Sequence, residues 1–264
     1  MKLDVSQRVK MKERYVNVVC MKWGTLYGSQ YVNRLYGMVA RNLNYPFKFY
    51  CITDDTDNIR SEVLCRDIPD FEVPETARGP WRKLLMFKPQ LFDIRGKTMF
   101  LDLDVVIIGG LDRFFSYSDK FAVRHEFDRR KENDAFGNTS MYVFEAGSYP
   151  QLYDNYLLNQ EAVHKQFWTA EQEYVTRTLY SQGELDFFPN EWILSFKEHC
   201  LPSLPQRWWK TPKLPQNASI IAFHGRPLPE DALQGVWPLD GKAAWKRLYK
   251  YVKPCVWIGD YWRE

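Results

Sequence analysis

Apolar residues along this chain follow two rhythms that alternate with each other. Tyr15 to Met21 is a short β-rich run, and it leads through Trp23-Gly24-Thr25 and Gly28-Ser29 into Tyr31, Leu35, Val39 and Leu43, one apolar residue every four. That spacing predicts strand, loop, helix. Asn44-Tyr45-Pro46 breaks it, Phe47 to Thr53 gives a second strand ending in Asp54-Asp55, and Glu62 to Ile68 gives a third. Gly79-Pro80 opens a further helix with apolar Leu84, Phe87 and Leu91, and Thr98 to Ile108 is the next strand. Strands alternating with helical periods predict an α/β fold, Rossmann-like, with a mostly parallel central sheet flanked by helices.

The second half is less regular. Leu111 to Phe115 reads as a turn of helix, Phe121 to Arg124 and Ser140 to Phe144 as strands, and Tyr149 to Ala162 and Ala170 to Ser181 as helices. Asp128 to Asn138, with Arg129-Arg130-Lys131, reads as an exposed loop. Pro189, Pro202, Pro205, Pro212 and Pro215 punctuate an irregular stretch with small strands near Trp192 to Phe196. Ile220 to Phe223 is a last apolar run, and Lys242 to Tyr251 has the pattern of an amphipathic helix. No repeat or linker divides the chain, so one domain over 1–264 is expected, in three parts: 15–110, 111–230 and a helical tail over 231–264.

Composition narrows the function classes. A formal net charge of +3 over 264 residues gives no argument for nucleic acid or an anionic membrane as partner. No stretch approaches the roughly 18 apolar residues of a spanning helix, and the N-terminus lacks a signal core, so a cytoplasmic protein is expected. Five scattered cysteines, Cys20, Cys51, Cys65, Cys200 and Cys255, fit reduced core thiols better than disulfides or zinc ligands. Oligomeric state leaves no mark.

Chemistry concentrates in Phe100-Leu101-Asp102-Leu103-Asp104-Val105-Val106-Ile107. Carboxylates in so apolar a run need a cation, a donor network or solvent. Strand side chains alternate, so Asp102 and Asp104 would share a face and converge on one cation, with Gly109-Gly110 stopping the strand just beyond. Capping of a neighbouring helix by strand-end carboxylates is the plainer alternative.

In their order along the chain, Lys83-Leu84, Phe100 to Asp104, Leu111 to Phe115, Asn138-Thr139-Ser140, Glu171-Gln172 and His224-Gly225-Arg226-Pro227 resemble the A-fold nucleotide-sugar glycosyltransferases. They are most similar to the glycogenin-like and lipopolysaccharide galactosyltransferase group, family eight. Glu171 replaces a usual Asp, Ser140 a usual Gly and Arg226 a usual Lys, and the His-Gly spacing is one residue shorter, which marks a divergent relative. The resemblance implies transfer of a sugar from a nucleotide donor, UDP in that group, to a carbohydrate or glycoconjugate acceptor, with retention of configuration.

It also implies roles. Asp104 binds metal most directly, Asp102 bridges metal and sugar or ribose, and His224 closes the coordination. Hard oxygen ligands suit Mg²⁺ or Mn²⁺, and an imidazole favours Mn²⁺. Lys83 and Arg226 are phosphate-binding types. Thr25 in the first strand-to-helix loop, and Asp54 or Asp55 after the second strand, would meet the nucleotide. Asn138, Thr139, Glu171 and Gln172 would line the donor-sugar and acceptor side, and Trp192, Trp208 and Trp209 could stack an acceptor sugar. Two rivals remain open: a haloacid-dehalogenase-type phosphatase, whose nucleophile also sits in Asp-X-Asp, and a non-catalytic nucleotide-sugar-binding protein on the same scaffold.

Overall fold

The structure is a computed structural model that describes residues 15–74, 80–126, 136–167, 171–241 and 243–264. Gly79, Arg129-Arg130-Lys131, Ala170 and Lys242 lie outside the described residues. Strand β1 (Val16–Lys22) is followed by helix α1 (Ser29–Asn42), β2 (Phe47–Thr53) and β3 (Leu64–Asp67), then by β4 (Lys97–Leu101), β5 (Val105–Ile107), a short α2 (Asp112–Phe115), β6 (Phe121–His125) and β7 (Gly137–Glu145). Helices α3 (Pro150–Gln166) and α4 (Glu171–Ser181) lead to β8 (Leu185–Phe188), β9 (Ile193–Ser195) and β10 (Ile220–Ala222), and the short helices α5 (Pro229–Gln234) and α6 (Trp257–Tyr261) close the chain.

Seven strands form one sheet in the order β3-β2-β1-β4-β7-β6-β8. Strands β3, β2, β1 and β4 pair in parallel, β7 pairs antiparallel with both β4 and β6, and β8 is parallel to β6. Among these seven, β7 alone runs against the rest. The period of two distributes the side chains. Val18, Cys20, Met99, Leu101, Met141 and Val143 face one core with α1. Val19, Met21, Phe100, Tyr142 and Phe144 face the other, with Trp81, Leu84, α3 and α4. Burial on both faces is what a parallel sheet requires, and each fully buried Val or Leu of α1 contributes about 2 kcal/mol.

Four expectations change. The helix expected from Gly79-Pro80 is a tight 3-10 helix, Trp81–Phe87, and the chain turns before Leu91. The strand expected over Thr98 to Ile108 is two strands in different sheets: β4 ends at Leu101, the chain turns through Asp102 to Asp104, and β5 joins β10 and β9 in a three-stranded sheet. The break therefore falls at the acids rather than at Gly109. Carboxylates at this point escape the apolar faces of the sheet only if the strand ends there. Asn138, read as the end of a loop, lies inside β7, and Lys242 to Tyr251 yields only a 3-10 turn, Ala244–Leu248. All five cysteines are free thiols. Among the described residues no helix is long and apolar enough to cross a membrane.

Candidate active site

The acidic turn lies at the carboxyl edge of the parallel strands. One ladder bond outlasts β4, Asp102 N donating to Ser140 O at 2.8 Å, and this fixes the turn against the start of β7. Since β7 is antiparallel to β4, its first residues, Asn138, Thr139 and Ser140, reach the same edge. On the other side β5 and β10 pair with Val105 opposite Ala222, and Phe223 N donates to Asp104 O at 3.1 Å. This antiparallel pair brings His224 to the acids across 120 residues of sequence.

Lys83 supplies the internal cation. Trp81, fully buried and stacked on Tyr156 at 5.4 Å, anchors the 3-10 helix that carries it. Its Nζ sits 2.6 Å from Asp102 Oδ1 and 2.8 Å from Oδ2, donates to Thr139 O at 3.4 Å, and lies 3.9 Å from Glu171 Oε1. Burial works against the ammonium, but Asp102 and Glu171 outweigh it and raise its pKa, so Lys83 stays charged. Glu171 accepts a hydrogen bond from Thr139 Oγ1 at 2.7 Å, and burial raises its carboxyl pKa against the pull of Lys83. Its Oε2 is buried with no protein donor.

Asp104 lacks such a cation. Its Oδ2 accepts from Tyr27 OH at 3.0 Å, while burial, with the charge of Asp102 adding, pushes its pKa up to about 7. Two buried carboxylates facing one lysine that sits on Asp102 leave room for another positive charge. His224 is neutral: burial, then Lys197, bring its pKa down to about 4. Its Nε2 is 2.7 Å from Ser195 Oγ, and Lys197 Nζ donates to its backbone carbonyl. Among the described residues no three of His, Cys, Asp and Glu are gathered closely enough to hold a metal in this arrangement. The carboxylates fit a hard divalent cation by donor type, and the imidazole is held back by Ser195.

Two cavities meet at the turn. The polar one, about 370 Å³, is lined by Lys83, Asp102, Asp104, Asn138, Glu171, Gln172 and His224, together with Glu126, Ser140 and Gly225. The apolar one, about 230 Å³, is lined by Met21, Trp23, Leu26, Tyr27, Phe100 and Leu103 and shares Pro80, Lys83, Asp102 and Asp104 with the first. Gln172 Nε2 donates to Glu126 Oε2 at 3.1 Å across the polar cavity wall.

Several residues proposed from sequence, Thr139 and Asp55 among them, line neither cavity. Thr25 is exposed in the β1–α1 loop, and Asp54 Oδ2 accepts from Gly24 N at 3.0 Å, tying that loop to the end of β2. Arg226 pairs instead with Asp231 at 2.9 Å and Asp240 at 3.4 Å. Trp192 is packed on Phe114 at 5.3 Å with Arg113 over its ring, so it has no face for a sugar, and Trp208 and Trp209 lie outside both linings. Sequence reading missed Tyr27, Glu126, Ser195 and Lys197. Tyr27 gave no signal among 16 tyrosines. Lys22 closes β1 and is buried with its Nζ 3.1 Å from Asp55.

Parallel β3-β2-β1-β4, one reversed strand beside them and an acidic turn at their carboxyl edge define the A-fold of glycosyltransferases. Solved structures with that fold superpose on the chain. The galactosyltransferase LgtC in complex with donor and acceptor sugar analogues matches 81% of this chain and 88% of its own at a TM-score of 0.53 and 11% identity. An active-site mutant of LgtC matches 86% and 91% at 0.57 and 11% identity. The apo bifunctional glycosyltransferase WbbM matches 82% of this chain at 0.55 and 14% identity, and the chain spans 47% of its length. No family model matches the chain, and no curated protein matches its sequence. Likeness at this identity establishes the fold.

Proposed function

We propose that the chain is a metal-dependent glycosyltransferase that moves a sugar from a nucleotide donor, with UDP as the nucleotide, to a carbohydrate or glycoconjugate acceptor with retention of configuration. The observation that carries this reading is the convergence of Lys83, Asp102, Asp104, Asn138, Glu171, Gln172 and His224 on one cavity that abuts an apolar slot. The slot has the apolar lining and the size order for a nucleobase, and the polar cavity has the donors and acceptors for a sugar.

Asp102 and Asp104 would hold Mn²⁺ or Mg²⁺, with His224 joining once its imidazole leaves Ser195. When bound, the metal supplies Lewis-acid stabilisation of the charge that develops on the departing diphosphate. Lys83, protonated and buried at the seam of the cavities, adds a fixed positive charge on the same side and keeps Asp102 ionised and oriented. Asn138 and Gln172 orient sugar hydroxyls. Glu171 keeps Lys83 and Thr139 in place, and its unpartnered Oε2 is an acceptor for a hydroxyl of bound sugar. The wall residues exclude water from the donor, which favours transfer over hydrolysis.

A thermal-shift panel of nucleotides and nucleotide-sugars with and without Mn²⁺ tests this, because a ligand that binds only the native state raises the apparent melting temperature. A Mn²⁺-dependent shift with UDP or a UDP-sugar is expected, and absence of any nucleotide shift overturns the reading.

A further inference from the structure

The phenol that holds Asp104 comes from a loop. Tyr27 lies in the stretch between β1 and α1, where Gly24, Thr25 and Leu26 are exposed, and its OH nevertheless sits 3.0 Å from Asp104 Oδ2. The ring is steadied by Tyr31, fully buried in the first turn of α1, with centroids 4.9 Å apart and edge to face. Tyr31 in turn meets Trp262 at 5.1 Å, also edge to face, and the guanidinium of Arg34 lies over that indole at 4.0 Å.

Trp262 belongs to a segment, 257–264, that is clamped along one stripe of α1. Tyr31, Arg34, Gly37 and Arg41 recur at helical spacing and all meet it. Arg41 donates to the carbonyls of Tyr261, Arg263 and Glu264 at 2.9, 2.7 and 2.7 Å. Gly37 leaves room for the backbone of Glu264, since a Cβ there would lie 2.4 Å from its carbonyl carbon. Stability alone does not call for an indole: Trp262 is buried, and its Nε1 finds no acceptor within the protein, a cost that Phe would avoid.

We propose that Trp262 is a positioning residue for Asp104, acting through the rings of Tyr31 and Tyr27, so that segment 257–264 braces the acidic turn of the candidate active site. Trp262 lines neither cavity, and its effect on the site is exerted through the two tyrosines. The consequence for metal binding rests on the function proposed above; the relay of rings does not.

Two measurements test it on wild type, Trp262→Leu, Trp262→Phe and Gly37→Ala, each verified as folded by circular dichroism and melting. Gly37→Ala displaces the segment and leaves every ring in place. The first measurement needs no metal: fluorine NMR of the chain labelled with 3-fluorotyrosine, with the Tyr27 signal assigned by its loss in Tyr27→Phe. That signal should move in Trp262→Leu and Gly37→Ala toward its position in Asp104→Ala, and stay in place in Trp262→Phe. The second is a Mn²⁺ titration, in which Trp262→Leu should weaken binding about threefold in the wild-type background and not at all in the Tyr27→Phe background. A Tyr27 signal unmoved in both folded Trp262→Leu and Gly37→Ala, or an equal loss of Mn²⁺ affinity in the two backgrounds, would overturn the proposal. Absence of Mn²⁺ binding by the wild type would be a failure of the proposed function alone, because the fluorine signal decides the brace without metal.

Discussion

The two cavities share a seam and differ in almost everything else. The apolar slot is built from adjacent positions of β1, β4 and the loop after β1, and its walls would be buried in any α/β sheet with a cleft at its carboxyl edge. The polar cavity draws on β7, the start of α4 and the residues after β10, elements far apart in sequence, and it buries charges that such a sheet has no structural need for. Asp102 and Asp104 stand on the seam in unequal states: Asp102 is neutralised by Lys83, and Asp104 has a phenol in place of a cation. The difference teaches that the slot follows from the fold, whereas the polar cavity and the vacant charge at Asp104 follow from chemistry.

The largest expected effect comes from the seam. Asp104→Ala should lower metal-dependent turnover of a nucleotide-sugar by about a thousandfold, since it removes a ligand acting on the transition state. Nucleoside binding in the slot should survive in calorimetry. Equal loss of both would break the distinction between the cavities. Lys83→Ala should come next, destabilising the fold by about 3 kcal/mol in denaturant melts, because it leaves Asp102 and Glu171 buried without a counter-charge.

Glu171→Gln separates the cavities more gently. It keeps the shape and the acceptor for Thr139 but removes the charge, so turnover should fall about tenfold with nucleotide affinity unchanged, as steady-state kinetics and calorimetry would report. A matching drop in nucleotide affinity would show that the cavities act as one.

Titration of the seam gives a smaller signal. Asp104 titrates at 3.8 when unfolded and at about 7 in the folded protein. Between those values the folded chain holds a proton that the unfolded chain has released, so the contribution of Asp104 to stability falls as pH rises through this window and levels off above it. Asp104→Asn should therefore melt higher than wild type at pH 8 without metal, by a few °C, and the gain should shrink toward pH 5. The smallest effect is assigned to Tyr27→Phe. Losing one hydrogen bond to Asp104 should change Mn²⁺ affinity by only about threefold, read in a metal titration.

The strands that border the slot were legible in the sequence and the polar cavity only in part, for a physical reason. Periodicity reports burial, and it located β1, α1 and β2 closely, because their apolar faces obey periods of two and 3.6. Asp102 and Asp104 stood out because charge in an apolar run is costly. Periodicity cannot report a change of sheet within such a run, so the break at Asp102 was invisible: Leu103 and Val105 are as buried as the strand residues around them. Arg226 was assigned to phosphate from its residue type, and Asp231 and Asp240 lie only five and fourteen residues away, but their pairing depends on the turn into α5. His224 reached the cavity as expected, yet its hold by Ser195 arises from the parallel pairing of β9 with β10, a contact that no local pattern signals.

The measurement that bears most directly on the central claim is release or transfer of sugar from UDP-sugars by wild type and Asp104→Ala, with Mn²⁺ and with the metal chelated. The account predicts turnover by the wild type with Mn²⁺ and loss of it on chelation and in the variant. Turnover that persists in Asp104→Ala or under chelation, or tight UDP binding with no turnover of any UDP-sugar, would contradict it.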